Sequence, residues 1–150
     1  MHHGRATWTE LGHQLGLSGP AVADRVHRLE EQGIIRGYAA LVDPSAVGAN
    51  LTAFVTVTLE RPEHRAAFLA RVGQLVEIQE CHHIAGEDDY LLKIRCSGTR
   101  ALDQVISQDI KGLPGILRTR TTIALDTLKE TPVLPVYANP ATPRRSTQDD

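Results

Sequence analysis

Three short stretches carry residue types suited to recognition or chemistry. In the first, Ser18 to Leu29, the apolar residues Val22, Val26 and Leu29 recur at helical spacing. Turning that stripe inward leaves Ala21, Asp24, Arg25 and Arg28 on the outer face, with His27 beside them. Ser18, Gly19 and Ala21 are small enough to let the backbone approach a phosphate or a base edge, and two arginines one turn apart can reach phosphate or guanine. Asp24 repels such a partner unless it pairs with Arg28, four positions on. Two helices joined by a tight turn serve packing as readily as DNA reading, and this stretch alone leaves both open. The second stretch, Cys81-His82-His83, has metal-ligand types. Strand alternation sends His82 and His83 to opposite faces, and Cys81 with His83 makes only two ligands, too few for a closed zinc site. No base stands near Cys81 to activate it as a nucleophile, so neither a metal, a cofactor nor a catalytic residue is expected here. The third stretch, Gly86-Glu87-Asp88-Asp89 before Tyr90, has the composition of a turn.

The elements that must position these residues read in order along the chain. Trp8, Leu11 and Leu15 mark a first helix, Gly16 its end, Ser18 the next N-cap, and Pro20 the first turn of a second helix. Gly33 stops that helix, and residues 34–39 read as a short β-ribbon carrying Arg36. Asp43-Pro44 and Gly48 mark a linker over residues 41–50. Beyond it the period changes to two. Leu51–Leu59 reads as a strand and Pro62–Leu75 as a helix with Ala66, Leu69 and Val72 inward. Val76–Ala85 and Tyr90–Cys96 read as paired strands, with Glu80 set opposite Arg95 if Ala85 faces Tyr90. Thr99–Ile110 reads as a second helix and Ile116–Leu128 as a last strand. The order βαββαβ over residues 51–130 is the ferredoxin-like arrangement. Residues 131–150 hold four prolines and a polar end and read as a disordered tail.

Composition narrows the class. At 150 residues, 41% hydrophobic and 23% charged, the chain has room for two small domains with ordinary cores. No apolar run approaches the ~20 residues needed to span a bilayer, and two cysteines build no disulfide scaffold, so a reduced, cytoplasmic setting is expected. Aromatic residues at 4% argue against a stacking surface for single-stranded nucleic acid. The net charge of −2 excludes blanket attraction to DNA. Residues 1–40 balance four arginines against four acids, so any DNA binding must come from a local basic face.

LGLSGPAVADRVHRLEEQGIIRGYAALVDP resembles the recognition helix, wing and linker of the Lrp/AsnC (feast/famine) transcriptional regulators. The likeness continues through IQECHHIAGEDDYLLKIRC and LPGILRTRTTIALDTLKE, covers about residues 4–130, and is closest to the leucine-responsive branch. It implies an α+β chain: an N-terminal winged helix-turn-helix over residues 1–40, then a ferredoxin-like effector domain. It implies double-stranded DNA as one partner, met by Ser18, Gly19, Ala21, Asp24, Arg25, His27, Arg28 and Arg36. The other partner is an amino acid or related metabolite. The resemblance puts its pocket between dimers at Gly86, Glu87, Asp88, Asp89 and Tyr90, with Thr122, Ile123 and Ala124 of the last strand nearby. The family often has Asp directly after the glycine, where this chain has Glu87, and Asp88 replaces a usually less charged residue.

Two further expectations concern completeness and assembly. A winged helix-turn-helix ordinarily packs a further helix across the two that form the motif. Only Met1, His2 and His3 precede Gly4-Arg5-Ala6-Thr7, so the DNA-binding half is expected to lack that helix, to be loosely ordered and to bind DNA weakly. On the first strand, Val55 and Val57 share one face and Phe54, Thr56 and Thr58 the other, so a single copy leaves apolar atoms uncovered. A homodimer through residues 51–130 follows, and the resemblance adds assembly to an octamer. Two other readings remain: an amino-acid-sensing module with little DNA binding of its own, and a small enzyme on the same fold, for which no catalytic constellation is visible.

Overall fold

The computed structural model describes residues 5–136, which divide into two compact units between Val42 and Asp43. The first unit holds helices α1 (Trp8–Leu15) and α2 (Gly19–Glu31). Local signals set both ends of each. Thr7 and Glu10 form a reciprocal capping box on α1, and Gly16 closes it in the left-handed conformation at φ 64°. Ser18 caps α2, its hydroxyl accepting from the Ala21 amide at 3.4 Å. The turn between them is tight because position 12 is glycine: a Cβ there would lie 2.5 Å from the Leu17 carbonyl oxygen. Val22 alone among this unit's described apolar side chains is fully buried, while Trp8 stays 47% exposed and Ile34 and Tyr38 more so.

The ribbon expected over residues 34–39 does not form. The amides of Ile34 and Ile35 both donate to the Leu29 carbonyl, at 2.9 and 3.1 Å, so they finish α2 instead of starting a ladder. The segment then passes back along the helix, where the Tyr38 hydroxyl donates to Glu30 at 2.6 Å. Arg36 lies on this irregular stretch. Within residues 41–50, a short 3-10 turn, Ser45–Val47, ends at Gly48.

The second unit is a four-stranded antiparallel sheet in the order β2-β3-β1-β4. Its strands are β1 (Leu51–Leu59), β2 (Ile78–His83), β3 (Tyr90–Cys96) and β4 (Ile116–Ile123). Helices α3 (Arg65–Val72) and α4 (Thr99–Asp103) supply the two crossovers, and α4 runs on as wider, π-type turns over Gln104–Ile110. Ala53, Val55 and Val57 of β1 and Tyr90, Leu92 and Ile94 of β3 meet Phe68, Val72, Leu102, Val105, Ile106 and Ile110 in one core. Each fully buried Val, Leu, Ile or Phe contributes ~1.5–3 kcal/mol.

Four boundaries or facings differ from the sequence reading. A 3-10 turn over Pro62–His64 precedes α3 and rotates its face, so Phe68 and Val72 are buried while Ala66 and Leu69 are exposed. Phe68 gains a ring contact with Tyr90, centroids 4.8 Å apart, which neither alanine nor leucine offers. Strand β2 is shorter at both ends and carries a bulge between Ile78 and Glu80. Strand β4 stops at Ile123 because its partner β1 begins at Leu51 and the Ala124 amide already bonds Thr52. Glu80 faces Lys93, not Arg95: the hairpin closes at Ile84 and Asp89, one residue earlier on each strand than an Ala85–Tyr90 pair, which moves Glu80 two positions along β3. Glu80 accepts from Lys93 at 3.0 Å and meets His82 at 3.1 Å, and these partners hold its carboxyl below its usual value. Arg95 instead pairs with Glu130, which also takes Lys93. Residues 131–136 form no regular element, and the remainder of the expected tail, 137–150, lies outside the described residues.

Candidate functional site

On the first unit the outer side of α2 carries Asp24, Arg25, His27 and Arg28, all exposed. Asp24 and Arg28 form the i,i+4 ion pair their spacing allows. His27 lies between Glu30 at 3.7 Å and Glu31 at 3.3 Å. Arg25 has no ion-pair partner among the described residues and is the free cation of this face. Ser18 spends its hydroxyl on the cap, and Gly19 and Ala21 are half-buried at the helix start, where backbone amides remain for a phosphate.

On the second unit the hairpin between β2 and β3 is fastened to β1 at several points. Asp89 is bound three ways: its amide donates to the Val57 carbonyl at 3.0 Å, its carbonyl accepts from Ile84 at 2.9 Å, and its carboxylate accepts from the Leu59 amide at 2.7 Å. Asp88 points to the other side of the sheet and is buried. It accepts from the Thr58 hydroxyl at 2.7 Å and from Arg118 at 2.9 Å. The Thr58 hydroxyl, then that of Thr56, with Arg118 adding charge, lower its carboxyl from 3.8 to about 2. Arg120 lies 3.5 Å from Glu87 and 3.9 Å from Asp88. Gly86 takes φ 154°, in the region that favours glycine, with open space around it. Tyr90 is 3% exposed; its ring contacts those of Phe68 and His83, and the residue lines a recess beside the hairpin.

Gly86 to Tyr90 therefore form one cluster at the Val57–Leu59 end of β1. Thr122, Ile123 and Ala124 do not join it within one chain. They pair with Phe54, Ala53 and Thr52, three to five residues down β1 from Val57, which at ~3.3 Å per residue is about 10 Å or more away. Sequence reading missed Thr58, Arg118 and Arg120, the partners that fix Glu87 and Asp88. The Arg-Thr-Arg-Thr alternation of β4, which puts both arginines on one face, is the signal that points to them. Cys81 and His83 share the inner face as alternation requires, and burial pushes the Cys81 thiol up, away from the reactive thiolate. Among the described residues no group of three or more His, Cys, Asp or Glu is placed to hold a metal.

A capped helix-turn-helix with an exposed arginine on its second helix, joined to a ferredoxin-like unit with a braced hairpin, defines a class: a DNA-binding regulator with a small-molecule domain. The model of the Lrp/AsnC ligand binding domain matches residues 52–134, and that of the AsnC-type helix-turn-helix domain matches residues 1–30. The leucine-responsive regulatory protein of Salmonella typhimurium is 41% identical over 129 residues, covering 85% of this chain and 79% of that one. A transcriptional regulator from Neisseria meningitidis, solved with L-methionine, superposes with a TM-score of 0.83 at 32% identity, covering 88% of this chain and 86% of that one. The feast or famine regulatory protein of M. tuberculosis, also complexed with L-methionine, gives 0.79 at 39% identity, covering 87% and 88%. The chain belongs to the Lrp/AsnC family.

Proposed function

We propose that the chain is a cytoplasmic, sequence-specific DNA-binding regulator whose C-terminal unit senses an amino acid, with no catalytic role. The observation that carries this is the combination, in a member of this family, of the free Arg25 on α2 with a hairpin braced from both sides of the sheet. Ser18, Gly19 and Ala21 bring the start of α2 to double-stranded DNA, Arg25 and Arg36 meet phosphates, and the Asp24–Arg28 pair and His27 border the base edges. The effector sits at Gly86–Tyr90. Since Thr122–Ala124 lie far along the sheet in one chain, they reach an effector only from another copy.

The uncovered face of the sheet supports assembly of copies. The helices of the second unit cover one face of the sheet; on the other, Phe54 of the central strand is 39% exposed. A second copy laid against this face gives a homodimer, and dimers placed hairpin to last strand build the octamer. Sedimentation at micromolar concentration is expected to show no 16 kDa species. Mobility shift with promoter DNA, with and without L-leucine or L-methionine, tests the function directly. A specific shift altered by the amino acid is expected, and a chain that shifts no promoter fragment overturns the DNA-binding half.

One observation favours a second reading, a sensing module with little DNA binding. Asp24 occupies Arg28, Glu30 and Glu31 flank His27, and Val22 alone anchors the first unit's described apolar side chains. A thermal shift with amino acids in the absence of any DNA shift is the outcome that selects it.

A further inference from the structure

The end of β1 runs into a half-open recess of about 200 Å³, lined by the Leu59–Pro62 segment, Arg65, His83 and the hairpin residues Asp89 and Tyr90. The backbone of the segment is tied down at two points. The Glu60 amide donates to the Gly115 carbonyl at 2.8 Å, and Asp89 holds the Leu59 amide at 2.7 Å. The His64 ring lies so close over Gly115 that any side chain at 115 would collide with it, so glycine there lets the 3-10 turn, with Arg61 and Arg65 on either side, pack against the start of β4. Leu59, Pro62 and Tyr90 supply the apolar part of its lining.

Most of the charges in that lining are unspent. Arg61, Arg65 and Glu60 are exposed and have no ion-pair partner among the described residues. Only one oxygen of the Asp89 carboxylate is engaged, by Leu59. A lining that combines two arginines, the carboxylates of Glu60 and Asp89 and the apolar Leu59 and Pro62 complements a free α-amino acid with an apolar side chain. Its carboxylate matches the guanidinium groups, its ammonium matches Glu60 and the outer Asp89 oxygen, and its side chain covers Leu59 and Pro62. The volume lies below the roughly 300–1,000 Å³ typical of sites for larger ligands.

We infer that Arg61 and Arg65 are specificity-determining residues of the effector site, binding the α-carboxylate of an apolar amino acid in the recess beside the hairpin. This rests on the reading of the second unit as an amino-acid sensor and adds residues outside the hairpin to it. Calorimetric titration of the full chain with L-methionine, L-methioninamide and 3-(methylthio)propylamine tests it, alongside the Arg61→Gln, Arg65→Gln double variant. Wild type is expected to bind L-methionine at least tenfold more tightly than either compound lacking the carboxylate. The double variant is expected to lose that preference while keeping the wild-type melting temperature, because neither arginine has a partner within the chain. A double variant that binds L-methionine as tightly as wild type overturns the inference and leaves the sensor reading standing. A wild-type chain that binds none of the proteinogenic amino acids overturns the sensor reading itself.

Discussion

Asp89 holds the Leu59 amide with its side chain and two strands with its backbone, so two substitutions at this position separate its roles. The carboxylate–amide bond is charge-assisted, a type contributing ~1.5–3 kcal/mol, against ~0.5–1.5 kcal/mol for a neutral bond. Asp89→Asn keeps an oxygen for Leu59 and is expected to cost about 1 kcal/mol. Asp89→Ala leaves a half-buried amide without its acceptor, at ~1–3 kcal/mol, and adds the loss of side-chain packing. In a domain of 60–100 residues each kcal/mol moves the melting temperature by about 4–8 °C. Thermal unfolding of the full chain should place asparagine a few degrees below wild type and alanine clearly below asparagine. Amino-acid affinity follows a different order. Asparagine removes the charge facing the ammonium and is expected to weaken binding ten- to a hundredfold, far more than its effect on folding. Equal melting of Asp89→Ala and wild type would refute the bracing role. A stable Asp89→Asn variant with wild-type affinity would show that the carboxylate serves the turn alone.

The remaining predictions concern both units. Gly12→Ala puts a methyl group against the Leu17 carbonyl, backbone that has little room to move, and is expected to cost the first unit ~1–3 kcal/mol. Promoter binding should fall while the unfolding of the sheet unit stays unchanged. Asp24→Asn releases Arg28 toward the backbone of DNA. One added phosphate contact steepens the dependence of log affinity on log salt by ~0.9, read by anisotropy titration at several salt concentrations. The Asp88 carboxyl is lowered from 3.8 to about 2, so its stabilisation is complete above the unfolded value and is lost as pH falls toward 2. Asp88→Asn should remove that acid-side loss, and denaturation midpoints at pH 6 and pH 3 that change equally in variant and wild type would refute the account. Covering Trp8, Leu15 and Ile34 with an amphipathic helix fused before residue 1 should raise both the first unit's stability and its affinity for DNA at fixed salt.

What the sequence determined by itself is local or periodic. Gly16 and Ser18 mark helix ends because a left-handed turn and a hydroxyl acceptor act within one turn of the chain. Alternation in β1 puts Val55 and Val57 on one face and Phe54, Thr56 and Thr58 on the other before any partner is known, and the helices choose the valine face for the core. The quoted hairpin and helix-turn-helix motifs carried the family. The tertiary structure decided register, facing and the site's real partners. Glu80 meets Lys93 because the strand register is shifted by two from the one expected, and α3 turns Phe68 inward against Tyr90 after a 3-10 turn. Asp88 finds Thr58 and Arg118 thirty residues away on either side, and Arg61 and Arg65 share a recess with His83 and Asp89. Such groupings depend on which strands lie side by side, and pairings across the sheet leave no spacing along the chain from which to read them.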